Sequence, residues 1–154
     1  MKRMPVAVIG AGLIGKMHID RALKHADVAL VAIADPTPEA EQLARSVGVP
    51  WFADYGQMIE VAQPRVVVVA TPNVTHVRIA VDCMERGAAV IVEKPIADTL
   101  DGGQRICDAS RSSNLPALVG HHRRYNPIVR RAKRRSSCRA GSASPFLQPF
   151  SPHG

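Results

Sequence analysis

No apolar run in the 154-residue sequence approaches the ~20 residues of a membrane-spanning helix, which excludes a membrane-embedded role. Cysteine is scarce. Cys83, Cys107 and Cys138 are odd in number, widely spaced and far from any paired-Cys metal motif. Reduced thiols in a cytoplasmic protein are the plain reading, with no metal centre. The start, Met1-Lys2-Arg3 ahead of "VAVIGAGLIG", superficially resembles a secretory leader, but Lys16, His18 and Asp20 follow with no small-residue cleavage site. Acidic residues vanish from the end of the chain. Residues 109–154 carry 9 Lys and Arg and no Asp or Glu, whereas residues 1–108 carry 11 basic and 13 acidic side chains. The net charge of +7 therefore resides in one terminal piece attached to a mildly acidic body. A basic tail can bind nucleic acid. Here no stacking aromatics interleave with it and no reading module is present, so nucleic acid is not an expected partner.

What is present is a regular alternation. The length suits one ordinary domain with a sizeable core. Pro5–Ile9 reads as a strand and Leu13–His25 as a helix. Val28–Ala34 and Pro38–Val47 repeat the pair, with Thr37 as the expected helix cap. A short strand near Trp51–Ala53 precedes a short helix near Tyr55–Ala62. Val66–Ala70 ("VVVVA") is a fully apolar strand, and residues 73–86 place Val77, Ala80, Val81 and Met84 on one helical face, with Asn73 available as cap. Ala88–Val92, Asp98–Ser113 and Ala117–Val119 complete the series as strand, helix and strand. Continuous Val/Ile strands separated by helices indicate a parallel sheet covered on both faces, hence a Rossmann-type doubly wound α/β domain.

Gly10-Ala11-Gly12-Leu13-Ile14-Gly15 follows the first strand directly and opens a helix. In that context G-x-G-x-x-G is a dinucleotide cradle: Gly10 permits the tight turn, Gly12 lets a pyrophosphate approach the backbone, and Gly15 lets helix and strand pack closely. The helix N-terminus adds free N–H groups and a positive dipole end. Asp35 ends the second strand twenty residues after Gly15, where an acid accepts hydrogen bonds from the adenosine ribose. A carboxylate there repels a 2′-phosphate, and no Arg or Lys follows until Arg45, so NAD is favoured over NADP. Asp35 also suits the capping of the Pro36-Thr37-Pro38 turn, and the two roles are compatible.

Two further polar clusters stand at strand ends, where doubly wound sheets bind ligands. Thr71-Pro72-Asn73-Val74-Thr75-His76 follows "VVVVA", and Glu93-Lys94-Pro95 follows "VIV". Thr71 and Asn73 could equally cap the next helix, and a lone His76 is more often structural or solvated than functional. A lysine at a strand end can hydrogen-bond a substrate hydroxyl, or carry a proton if its surroundings lower its pKa. Glu93 would pair with it or hold a cofactor hydroxyl.

Five stretches in this order and spacing, "VAVIGAGLIGKMHI", "AIADP", "VVVATPNVTH", "VIVEKPIA" and "VGHHRRYNP", resemble the glucose–fructose oxidoreductase / inositol dehydrogenase / MocA family over about residues 4–131. The resemblance implies a Rossmann domain binding NAD or NADP and hydride transfer at a carbinol carbon of a sugar, inositol or similar polyol. It implies that Gly10, Gly12 and Gly15 form the dinucleotide turn with Leu13 and Ile14 beside it, and that Asp35 meets the adenosine ribose. Thr71, Pro72, Asn73 and His76 would run beside the nicotinamide half, with Glu93, Lys94 and Pro95 bordering the cofactor. Lys94 would be catalytic, Pro95 would follow a cis peptide bond, and Arg124 would border the cofactor on the way to a second domain.

The resemblance stops at about residue 132. By this reading residues 1–122 form the NAD(P)-binding domain, residues 123–132 begin a linker helix, and residues 133–154 are a disordered basic tail. The family's C-terminal α/β substrate domain, with its Asp/His partners for the lysine and often its oligomer interface, has no counterpart in that tail. A reading-frame shift would account for the change economically. The expectation is retained dinucleotide affinity with little or no turnover by this chain alone. A stand-alone NAD-binding module and a non-functional shortened product are the alternatives.

Overall fold

A computed structural model describes residues 3–120 of the chain. The expected linker helix, the expected tail and Arg124 lie outside the described residues. Within them the order is β1 (Met4–Ile9), α1 (Leu13–Lys24), β2 (Val28–Ala34), α2 (Pro38–Val47), β3 (Trp51–Phe52), α3 (Tyr55–Ala62), β4 (Val66–Val69), α4 (Asn73–Glu85), β5 (Ala89–Val92), α5 (Leu100–Ser113) and β6 (Ala117–Val119). The six strands form one sheet in the order β3-β2-β1-β4-β5-β6, and every neighbouring pair is parallel. Strand order reverses direction between β1 and β4, the switch point that opens a crevice at the carboxyl edge of such a sheet.

The apolar runs are continuous because both faces of the central strands are covered. Ala7, Ile9, Val67, Val69, Val90 and Val92 pack with Met58 of α3, with Ile79, Cys83 and Met84 of α4 and with Ile106 of α5. On the opposite face Val6, Val8, Ile33 and Val68 pack against Ile19 of α1 and Ala40 and Ala44 of α2. Burying each such valine contributes about 1.5–3 kcal/mol.

Helix boundaries follow local chemistry. Asp54 caps α3 by accepting from the Gln57 N–H at 2.9 Å, and Thr99 caps α5 by accepting from the Gly102 N–H at 3.0 Å. That second cap starts α5 at Leu100 rather than at Asp98. The left-handed Gly48, at φ 73°, closes α2. One expected cap is corrected, and another stands at its expected place without its side-chain bond. Asn73 is the first residue of α4, whose N-cap is Pro72, so its side chain cannot cap that helix. Thr37 is the N-cap of α2, but its hydroxyl turns back to Asp35 and makes no capping bond to the helix.

Register aligns the motifs. Ile9 pairs with Ala34 on one side and Val69 on the other, Val69 pairs with Val92, and Val92 with Val119. The residues that follow, Gly10, Asp35, Ala70, Glu93 and Gly120, therefore leave the sheet in one row. Segments scattered over the sequence become one edge.

Candidate functional site

The glycine turn is fixed by contacts that leave no room for side chains. Gly10 has φ +91°, and a Cβ there would lie 2.7 Å from the Ala70 carbonyl group. Its N–H donates to the Ala34 carbonyl at 2.9 Å, which ties β1 to β2 where the chain turns. A Cβ on Gly15 would fall 1.8 Å from the Gly10 carbonyl oxygen, so the first turn of α1 rests directly on the loop. Gly12 differs. A Cβ on it would meet nothing within 4 Å, and as the N-cap of α1 it supplies no side-chain cap. The helix thus presents its first N–H groups beside open space, the arrangement that receives an anion. Leu13 and Ile14 extend from this turn with their side chains exposed.

Asp35 is bound into the same loop. One carboxylate oxygen accepts from the Ala11 N–H at 2.8 Å, and the other from the Thr37 N–H at 2.9 Å and the Thr37 hydroxyl at 2.6 Å. Its backbone N–H donates to the Phe52 carbonyl at 3.0 Å, and its carbonyl accepts from the Trp51 indole at 2.9 Å. Burial pushes the carboxyl's pKa upward. The three donated hydrogen bonds outweigh it and hold the group below the usual aspartate range. Asp35 is therefore an ionised acceptor fixed in place, with lone pairs to spare.

Gly10, Asp35 and Thr71 share a cavity of about 330 Å³ with Asp54, Tyr55 and Arg78, which the sequence reading passed over. The last two enter from α3 and α4. Arg78 holds its guanidinium carbon 5.7 Å from the Tyr55 ring centroid and donates to the Tyr55 hydroxyl at 3.3 Å. Nothing local in the sequence joins these residues to the glycine turn; only the fold does.

The β4 and β5 ends are coupled through His76. It is 1% exposed, with Nδ1 2.9 Å from the Pro95 carbonyl and Nε2 2.8 Å from the Thr71 carbonyl. Its ring is a brace between two loops, so any influence on a ligand passes through the backbone it holds. The Thr75 hydroxyl lies 2.7 Å from both the Thr71 hydroxyl and the Pro72 carbonyl. Asn73 is exposed. The Lys94–Pro95 peptide is cis.

Of the two roles expected for Glu93, the ion pair with Lys94 is not made among the described residues. Glu93 is buried, and its Oε1 lies 2.8 Å from Nε2 of His18 on α1. Its Oε2 accepts the Lys94 backbone N–H at 3.3 Å. A Cβ on Gly120 would come within 2.6 Å of Glu93 Oε1, so the glycine makes room for the carboxylate. The charged side chains at residues 93 and 94 diverge because alternate residues leaving a strand face opposite ways. Lys94 is exposed and makes no ion pair among the described residues. His18 stands in the quoted "GKMHI" stretch, yet no spacing rule could have paired it with Glu93. Neither His76 nor Lys94 lines the 330 Å³ cavity. Among the described residues no group of three or more His, Cys, Asp or Glu could hold a metal ion, and no helix there is long and apolar enough to cross a membrane.

A family model described as "Oxidoreductase family, NAD-binding Rossmann fold" matches residues 4–121. The rhizopine catabolism protein MocA of Rhizobium meliloti is 29% identical over 141 residues, covering 92% of this chain and 44% of that protein. Inositol 2-dehydrogenase 2 of Saccharopolyspora erythraea is 35% identical over 135 residues, covering 85% of this chain and 40% of that protein. The solved structure of the WlbA dehydrogenase from Bordetella pertussis, in complex with NADH and UDP-GlcNAcA, superposes with a TM-score of 0.84 at 25% identity. It covers 89% of this chain and 42% of its own. The chain thus spans about two fifths of the length of the curated relatives it matches.

Proposed function

The chain belongs to the oxidoreductase family with an NAD-binding Rossmann fold, and from that premise we propose that residues 3–120 bind NAD in preference to NADP. They do so as the cofactor half of an enzyme that moves hydride between nicotinamide and a carbinol carbon of a sugar, inositol or similar polyol. The observation that carries the reading is the joining of Asp35 to the glycine turn through the 2.8 Å bond from the Ala11 N–H. That bond puts an ionised acceptor beside the cavity, suited to two ribose hydroxyls and hostile to a 2′-phosphate. The cradle fits the group: Gly12 leaves its approach open, and Gly10 and Gly15 fix the loop around it.

In this reading Gly10, Gly12 and Gly15, flanked by Leu13 and Ile14, hold the pyrophosphate on the first N–H groups of α1. Thr71, Pro72 and Asn73 border the nicotinamide half, and His76 positions that loop. Glu93, Lys94 and Pro95 form the border at the β5 end, with Lys94 the group that hydrogen-bonds the reacting hydroxyl and takes its proton. When bound, the nicotinamide supplies the hydride acceptor or donor. Hydride transfer further needs an oriented substrate and exclusion of water. Lys94 is exposed and nothing among the described residues roofs it, so turnover requires closure by surface beyond them. Titration of the purified chain with NADH and NADPH, followed by cofactor fluorescence, tests the proposal. Tighter binding of NADH is expected. Equal binding, or none, overturns it.

A further inference from the structure

Arg78 is the feature of the cavity that the cofactor reading leaves unused. It lies on α4, yet it lines the same 330 Å³ space as Gly10 and Asp35. Three arginines of the domain stand in ion pairs, Arg45 with Glu41, Arg86 with Glu60 and Asp82, and Arg111 with Asp108, whereas Arg3, Arg21, Arg65 and Arg105 stand in none among the described residues. Arg78 makes none among the described residues. Its guanidinium is held instead by a π face and a phenol, 5.7 Å from the Tyr55 ring centroid and 3.3 Å from the Tyr55 hydroxyl. A guanidinium without an ion pair among the described residues and placed at a cavity wall is suited to a flat, electron-rich ligand surface, because it is planar, weakly hydrated and stacks on π systems.

Two ligand groups could meet it: a purine ring or a phosphate on the ribose. Asp35 decides between them. Its carboxylate takes three hydrogen bonds and stands in the same cavity, so a phosphate placed to reach Arg78 would also face that anion. A neutral base incurs no such cost. Resting on the dinucleotide reading above, we propose that Arg78 is an adenine-binding residue of this chain, its guanidinium stacking on the purine face at the α3–α4 wall of the cavity. It contributes equally to every adenine nucleotide and does not select between NAD and NADP.

The test is a set of calorimetric titrations of the full chain with NAD, NADP, AMP and nicotinamide mononucleotide, on wild type, Arg78→Ala, Arg78→Lys and Tyr55→Phe. Arg78→Ala is expected to weaken NAD and AMP by the same factor, about tenfold, and to leave nicotinamide mononucleotide unchanged. Arg78→Lys should be nearly as weak, since a point charge does not stack. Tyr55→Phe, which keeps the ring and loses the 3.3 Å bond, should stay within about twofold. The proposal is overturned if Arg78→Lys restores binding, if the loss is confined to NADP, or if Tyr55→Phe reproduces it, which would make Arg78 a brace for α3. Arg78 is exposed, so unaltered melting of the variants separates lost binding from lost fold. If wild type binds neither NAD nor AMP, the cofactor reading itself fails and takes this inference with it. Wild-type binding with no change in Arg78→Ala sinks the inference alone.

Discussion

The β1–β2 end of the sheet and the β5 end present two kinds of site on one edge. At the first, Gly10 and Asp35 are fixed by backbone contacts from three strands, and the cavity beside them is walled by α3 and α4. At the second, the Glu93 carboxylate is buried against His18 while Lys94 stands exposed without an ion pair among the described residues. The lesson is a division of labour. Binding a cofactor calls for preorganised backbone, which one domain can supply. Acting on a second molecule calls for a side chain left accessible until that molecule arrives. The largest expected effect therefore lies in the turn. Gly15→Ala drives a Cβ into the Gly10 carbonyl, 1.8 Å away, and should cost about 3 kcal/mol or more, lowering the melting temperature by on the order of 10 °C and abolishing NAD binding. Gly12→Ala meets no atom within 4 Å and should melt near wild type while losing most of its NAD affinity. Calorimetry on the two variants checks both. Intact NAD binding by Gly12→Ala would remove the pyrophosphate from this loop.

Next comes the buried pair behind Lys94. His18→Ala takes a 2.8 Å partner from a carboxylate that remains enclosed, and should destabilise the domain by about 1–3 kcal/mol. Chemical denaturation measures it. A cost as small as that of a surface substitution would mean that the other contacts of Glu93 hold it without His18.

The parts of this organisation that were legible in the sequence are those set by local pattern. "VAVIG" and "VVVVA" announce buried parallel strands because every side chain is apolar, and G-x-G-x-x-G announces its turn because only glycine tolerates the φ of +91° at Gly10 and the 1.8 Å approach at Gly15. Asp35 was legible from its distance to that turn. What stayed hidden is set by register and helix packing. Arg78 of α4 meets Tyr55 of α3 at the cavity, and His18 of α1 meets Glu93 at the end of β5; neither contact has a fixed separation in sequence. Of the two roles open to Glu93 in the sequence, the pair with adjacent Lys94 is not made, since neighbouring side chains leaving a strand point to opposite faces and Glu93 meets His18 instead. Thr37 is the cap of α2 as its place before Pro38 suggests, though Asp35 takes its hydroxyl, whereas Asn73 is no cap because Pro72 already occupies the capping position.

Asp35 gives a smaller, pH-dependent effect. Its carboxyl is held below the usual aspartate value, so the stabilisation it brings is fully present above about pH 3.9. It is lost as pH falls through the lowered native value. Asp35→Asn should flatten that acid limb in a series of melts and weaken NAD binding by about tenfold, with NADP affected less. An acid limb identical to wild type would show that other carboxylates dominate acid unfolding. Equal losses for NAD and NADP would argue against Asp35 as the group that reads the ribose.

Lys94 should give almost nothing in these same assays, and that silence is informative. Its side chain is exposed, has no ion pair among the described residues and does not line the 330 Å³ cavity. Lys94→Met should therefore change stability by no more than about 0.5 kcal/mol and NAD affinity by no more than about threefold. The fold does not depend on this charge, so it is free to serve a bound carbinol. If the lysine works on substrate, its loss must appear only when a carbinol and a hydride are both engaged. Isothermal titration of Lys94→Met against wild type with NAD decides the point. A tenfold loss of NAD affinity would make Lys94 a cofactor ligand, and both ends of the sheet would then be parts of one preorganised cradle.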